Sequence, residues 1–353
     1  MAIPTTCIGS YPKPDYVPIA DWFEIDKGLT TAGEDVTRNY TQVMAGADEE
    51  TEALFHRATK EAVEDQVTCG IDVPTDGEQR RENYIHYHCR HLNGLDFENL
   101  TSRILRDGAY EAALPTITGK IEPKGRHFLD ADFKTAQEFT DAPVKITVPG
   151  PLTIIDTTAN AHYDTERALA FDLADALNFE IRGLAEAGCK YIQVDEPVFA
   201  RNVGRALEFG VECLDRCFEG VPGDVTRVMH MCCGYPDHLD DADYHKADQD
   251  SYLQLAEAVD QSSVNQISLE DAHRYNDLSL LEKFTRSTVI FGSVAIAKSR
   301  VEGIEEIAAR LNAALRHIDH DRLIAAPDCG LAMLGRELAM KKLKNLSQAA
   351  GSV

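Results

Sequence analysis

Basic residues are the scarce class in this chain: 35 Lys and Arg stand against 59 Asp and Glu, a formal net charge of -24. Without a clustered run of cations nothing is present to hold a phosphate backbone, so neither nucleic acid nor an anionic membrane is an expected partner. Missing too is any apolar run long enough to span a bilayer, and the N-terminus, MAIPTTCIGS, has neither the basic nor the apolar stretch of a secretory leader. The nine cysteines are odd in number and irregularly spaced. That argues against a disulfide framework and for reduced thiols in the cytoplasm. No G-x-G-x-x-G or G-x-x-x-x-G-K-[ST] follows an apolar run, so the loops that cradle nucleotide phosphates are absent. With no internal repeat and no low-complexity linker, one domain is expected over 1–353.

What the chain does have is a rhythm. Eight short runs rich in β-branched and apolar residues close on small or polar ones: TTCIGS, CGIDVPTDGE, VKITVPGP, YIQVDEP, TRVMHMCCG, VNQISLED, TVIFGSVA and LIAAPDCG. Between them, stretches such as 48–70, 164–188 and 302–318 space their apolar residues by three and four, the period of an amphipathic helix. Asp48 and Asp164 are placed as N-caps, Gly70 and Gly188 as C-caps. Strand and helix alternating about eight times predict an α/β fold, a single (β/α)8 TIM barrel rather than an open doubly wound sheet. The segment 82–143 breaks the rhythm and reads as a β-rich insertion after strand two, extended pieces lying over the barrel mouth. Within it, His86, His88 and His91 are expected on an exposed strand, as lid or interface residues rather than as a second metal site. Lys341, Lys342 and Lys344 are read as a helix end that complements the helix dipole, and Cys213, Cys217 and Cys233 as packing or solvent-facing thiols.

Each strand ends on a residue with usable chemistry. Ser10, Glu78, Asp195, His230 with Cys232, Glu270 and Cys329 all fall at C-terminal strand ends, which converge on one mouth in a barrel. Side chains alternate along a strand, so His230 and Cys232 share a face while Cys233 points away. An H-x-C pair alone more often packs a core than binds a metal. Joined by Cys329 and Glu270 it could form a zinc shell of two thiolates, one imidazole and one carboxylate. The carboxylate is the hardest of these donors and the easiest for a substrate sulfur to replace. Zinc would lower the pKa of that thiol and present a nucleophile at neutral pH.

The series TTCIGSYPKP, DGEQRREN, VPGPLTI, QVDEP, HMC, SLE and APDCGL resembles, in order and over essentially the whole chain, the C-terminal catalytic barrel of cobalamin-independent methionine synthase. The resemblance implies a zinc-dependent methyltransferase that methylates homocysteine to methionine without bound cobalamin. It places the metal ligands on His230, Cys232, Glu270 and Cys329, and the amino-acid part of homocysteine near Ser10, Glu78 and Asp195. Two carboxylates suit an ammonium group, and a hydroxyl on a backbone turn suits its carboxylate. The chain is similar to a stand-alone core form, lacking the second, N-terminal barrel of full-length members. Family members end strand seven in D-[IV]-H-S-P-R, whose histidine assists proton delivery. This chain reads Ala295-Ile296-Ala297-Lys298-Ser299-Arg300 there, which leaves Lys298 as the candidate replacement. Thr157 stands where the family stacks a tryptophan on the pterin, so the donor is expected to be methylfolate bound differently or another methyl carrier, such as a methylated corrinoid protein.

Two other readings compete. An epoxyalkane:coenzyme M transferase resembles the same family and would need Lys298, Arg80 or Arg81 beside a sulfonate. A purely structural zinc would ordinarily be closed by four Cys or His ligands, and the carboxylate speaks against it.

Overall fold

A computed structural model describes residues 2–20, 34–105, 110–234, 236, 238–241, 244 and 246–353. Among these the strands, in chain order, are β1 (Leu92–Leu105), β2 (Tyr110–Pro123), β3 (Lys145–Pro149), β4 (Ala159–Asn160), β5 (Tyr191–Asp195), β6 (Thr226–Met231), β7 (Gln266–Leu269), β8 (Thr288–Val294) and β9 (Leu323–Pro327). Six of them form one sheet in the order β3-β5-β6-β7-β8-β9, every neighbouring pair parallel. A parallel sheet needs cover on both faces, and both are buried. One face, carrying Ile146, Val148, Ile192, Val194, Met229 and Ile267, belongs to the main core under the helices. The opposite face holds a separate small cluster of Ile8, Val228, Ile290 and Ala326, with Ile324 packed against it.

At both edges of this sheet the pairing continues through single parallel bridges. Thr5 bridges Ala325 on β9, Thr6 bridges Val73, Ser10 bridges Gly77, and Thr75 bridges Lys145 on β3. The two N-terminal strands expected at 5–10 and 69–78 are thus bridges rather than full ladders, and side chains explain it. Gln66 of the preceding helix takes both backbone groups of Thr75, Asp72 takes the Thr5 amide, and Pro4 and Pro74 have no N–H to give.

The helix Glu49–Thr68 is capped by Asp48 as its sequence predicts, the carboxylate accepting from Thr51 N, and it buries Phe55, Ala58, Ala62 and Val63. Helix Glu166–Glu186 begins one residue later than expected, because the Thr165 hydroxyl, not Asp164, accepts the Ala168 amide. The segment 82–143 contains the antiparallel pair β1–β2 but opens differently from its sequence reading. Asn83 accepts from the amides of Ile85 and His86 and nucleates a helix, Tyr84–Cys89, in which His86 and His88 are buried. They are therefore neither strand residues nor exposed. Leu129–Gln137 is helical as well. Nor do the three lysines form a helix end: they lie inside the helix Arg336–Gly351, and Lys342 is fully buried, donating to Glu302 Oε2 and to the carbonyls of Ala295 and Arg300. The nine cysteines are all free and buried, as packing was expected for Cys213, Cys217 and Cys233. Among the described residues no helix is long and apolar enough to cross a membrane.

Candidate metal centre

Residues that alternate along β6 and its extension carry the first two donors. Met229 and Met231 point into the main core, so His230 and Cys232 share the other face. Asp195 on β5 and Ser268 on β7 flank His230 in register. The Ser268 hydroxyl lies 2.9 Å from His230 Nδ1, which turns Nε2 toward Cys329, 3.4 Å from its Sγ. Cys329 follows β9, and its sulfur completes a buried group with His230 and Cys232 in which the three ligand atoms lie within 4.8 Å of one another. Burial, and secondarily the Lys145 charge, hold the His230 imidazole down at about 3, so the ring is neutral and a lone pair is free for a metal. The Cys232 thiol is pushed well up, first by its hydrogen bond to Cys329 and then by burial. A thiol held protonated in this way would lose its proton to a bound metal cation.

Glu270 lies beside this trio rather than within it. Its Oε1 accepts from the Cys232 thiol at 2.8 Å and from the Cys233 amide at 3.1 Å. Its Oε2 is buried with no hydrogen-bond partner, the condition of an acceptor awaiting a cation. One imidazole, two thiols and an orphaned carboxylate oxygen fit zinc. Two residues not singled out from sequence tie the shell together. Asp328 accepts from the backbone amides of Asp271, Ala272 and His273 and pairs with His273 Nδ1 at 2.7 Å. It thereby fastens the turn after Glu270 to the residue before Cys329. The signal for Ser268 was present, since it lies two positions before Glu270 on the same strand face. That for Asp328 was its place beside Cys329.

The carboxylates expected to meet an ammonium group are both buried. Glu78 has a left-handed φ of 58°, following Gly77, where an added Cβ would lie 2.8 Å from that of Ala62. This turn aims its Oε1 at the Thr147 hydroxyl, 2.6 Å away, and at Arg81 Nη1, 3.5 Å away. Asp195 Oδ1 accepts from Gln193 Nε2 at 2.7 Å. Burial raises both acids, and Asp195 is driven further up by the charge of Glu78. Ser10 sits against the turn after Cys329, its carbonyl accepting the Leu331 amide at 2.7 Å. A Cβ on Gly330 would come within 2.2 Å of the Ser10 hydroxyl, so glycine is what lets the two meet. Lys298 is not one of the three grouped ligands. Exposed, it lines a cavity of about 50 Å³ with Tyr275, Arg300 and Arg310, and none of the three grouped ligands lines that cavity. Tyr84, from the helix read as extended, has its hydroxyl raised by loss of solvent and then by Asp195, Cys232 and Cys329, which sets it beside the site.

A parallel α/β sheet whose strand ends gather an imidazole, two thiols and several carboxylates defines an α/β protein with a candidate metal centre. A model of the cobalamin-independent synthase catalytic domain matches residues 3–352, and the chain belongs to that family. It is an enzyme, a methyltransferase. A methionine synthase of Sulfolobus acidocaldarius is 32% identical over 346 residues, 98% of this chain and 90% of its own; that of Saccharolobus solfataricus is 30% identical over 347 residues, 98% and 92%. Among solved structures, a B12-independent methionine synthase from Shewanella sp. W3-18-1 in complex with selenomethionine aligns with a TM-score of 0.84 at 30% identity, covering 99% of this chain and 97% of that one. A methyltransferase from Methanosarcina mazei shares the fold at a TM-score of 0.59 and 14% identity, over 99% and 94%.

Proposed function

We propose that this methyltransferase binds zinc through His230, Cys232, Glu270 and Cys329 and methylates the thiol of homocysteine to form methionine. The observation that carries the reading is the meeting of His230, Cys232 and Cys329 within 4.8 Å. Zinc, when bound, supplies the Lewis acidity that makes a thiol a thiolate at neutral pH. His230 offers Nε2 because Ser268 engages Nδ1. Glu270, with one oxygen already hydrogen-bonded and the other unpartnered, would be the hard donor in a soft set and the one most readily given up to a substrate sulfur. Glu78 and Asp195 receive the amino group, and Ser10 with its turn receives the carboxylate.

An amino thiol fits better than a sulfonate thiol, because the two arginines a sulfonate would need are engaged: Arg80 with Glu52, and Arg81 with Asp76 and Thr147. No role in transfer is assigned to Lys298. Thr157 offers no aromatic platform, so the donor is methylfolate held differently or a methyl carrier, a methylated corrinoid protein included. In the same reading the bridges at the sheet edges close a (β/α)8 barrel, with 5–10 and 69–78 as its first two strands and 82–143 an excursion within a single domain. Its free thiols suit the reducing cytoplasm. The test is methionine production by the zinc-loaded chain from homocysteine, offered methyltetrahydrofolate, its triglutamate, and a methylated corrinoid protein in turn. One donor is expected to give methionine. Stoichiometric zinc with no methionine from any of them would overturn the reading.

A further inference from the structure

One fully buried cation has so far appeared only as a charge acting on His230. Lys145 opens β3 and is 1% exposed, and its Nζ has no hydrogen-bond partner. Ile146 and Val148 face the helix-covered core, so alternation points Lys145 and Thr147 to the opposite face, where Thr147 holds Glu78. On the neighbouring strand β5, Ile192 and Val194 also face the helices, which leaves Gln193 and Asp195 on the face of Lys145. The register sets Thr147 opposite Gln193 and Lys145 opposite Tyr191, so the lysine lies two residues below Gln193 on the same wall. Gln193 spends its Nε2 on Asp195 Oδ1 and on the Ile8 carbonyl, while its Oε1 is buried and unpartnered. One wall therefore carries an orphaned donor and, above it, an orphaned acceptor whose own amide is committed to Asp195. Leaving both unmet is costly in a protein interior, and a single bridging water between two such groups satisfies both.

We propose that Lys145 is a positioning residue for the substrate's amino group: its ammonium, acting through a water and the Gln193 amide, orients the Asp195 carboxylate and supplies a buried positive charge that offsets Asp195. Lys145 touches neither substrate nor metal. Its charge polarises the Gln193 amide, which strengthens the hydrogen bond that amide gives to Asp195. Burial lowers Lys145 to about 8, with Cys7 and Asp195 acting in the opposite sense, so most of it is charged at neutral pH.

This inference rests on the homocysteine reading, and calorimetric titration separates the two. The zinc-loaded full chain is titrated with homocysteine and with 4-mercaptobutanoate, the same thiol acid without its amino group. The unaltered chain is expected to bind homocysteine more tightly; equal binding of both thiols would defeat the homocysteine reading and this inference with it. Given that preference, Lys145→Met should weaken homocysteine roughly tenfold, a typical coupling between sites, while 4-mercaptobutanoate binding and zinc content stay unchanged. Gln193→Met should weaken homocysteine similarly, and the double variant should be no weaker than either single one, since both cut the same link. Unchanged homocysteine binding in both single variants, equal losses for the two thiols, or additive losses in the double variant would overturn the assignment.

Discussion

Replacing Cys329 with serine changes one sulfur to an oxygen and leaves the volume almost the same, so the fold has little reason to respond. The metal does. With a thiolate removed from the His230, Cys232 and Cys329 group, zinc affinity is expected to fall by more than about a hundredfold, the upper end of what outer-shell changes produce. Zinc titration against a chelator measures the loss, and an unchanged circular dichroism spectrum separates it from unfolding. These donors were legible in the sequence because strand alternation alone put His230 and Cys232 on one face, and the strand-end rule brought Cys329 near. Glu78 and Asp195 were visible as strand-end acids. What the sequence did not disclose is the support: that Asp328 ties the turn at 271–273 to Cys329, or that Lys145 faces inward. Lysine is ordinarily an exposed residue, and one charged position among β-branched neighbours does not reveal its burial. Lys298 lines a cavity with Asp271 and Arg310, a neighbourhood that its sequence surroundings do not disclose.

At the scale of elements, capping and backbone competition decided where the sequence reading succeeded. The Asp48 cap and the apolar period of the Glu49–Thr68 helix agree, and that helix is as expected. In 82–143 the aromatic and histidine-rich run favoured an extended reading, yet two amide hydrogen bonds to Asn83 suffice to start a helix there. The lysines of the last helix were read as a dipole-complementing end because their number, not their face, was visible. On the folded chain Lys342 is a fixed point, pinning the 295–302 loop through Glu302 and two carbonyls. Removing one partner of a buried ion pair leaves the other charge uncompensated, so Lys342→Met is expected to cost about 3–5 kcal/mol. Urea unfolding of the variant measures it; a loss below 1 kcal/mol would show that Glu302 finds water instead.

For the whole molecule, the alternation of strand and helix was enough to give an α/β fold with a parallel sheet, since buried parallel strands read as apolar runs. The bridged segments at 5–10 and 69–78 were legible as apolar runs but not as weak ladders, because the competing hydrogen bonds join residues far apart in the chain or come from the preceding helix. Burial also sets an acid limit to stability. His86 and His91 are held at about 4 by loss of solvent, below the usual value near 6.5. The unfolded chain therefore takes up their protons first, and stability present above about pH 6.5 is lost as pH falls toward 4. Urea midpoints across that window should fall with acid, and His86→Gln should flatten the slope.

The most direct test of the account is zinc K-edge X-ray absorption on the purified, zinc-loaded chain before and after homocysteine. One zinc per chain is predicted, with the two sulfurs of Cys232 and Cys329 in its shell beside nitrogen and oxygen, and a third sulfur gained at the expense of the Glu270 oxygen once the thiol is added. A chain that takes up no zinc, or a shell whose sulfur count does not change with homocysteine, would contradict it.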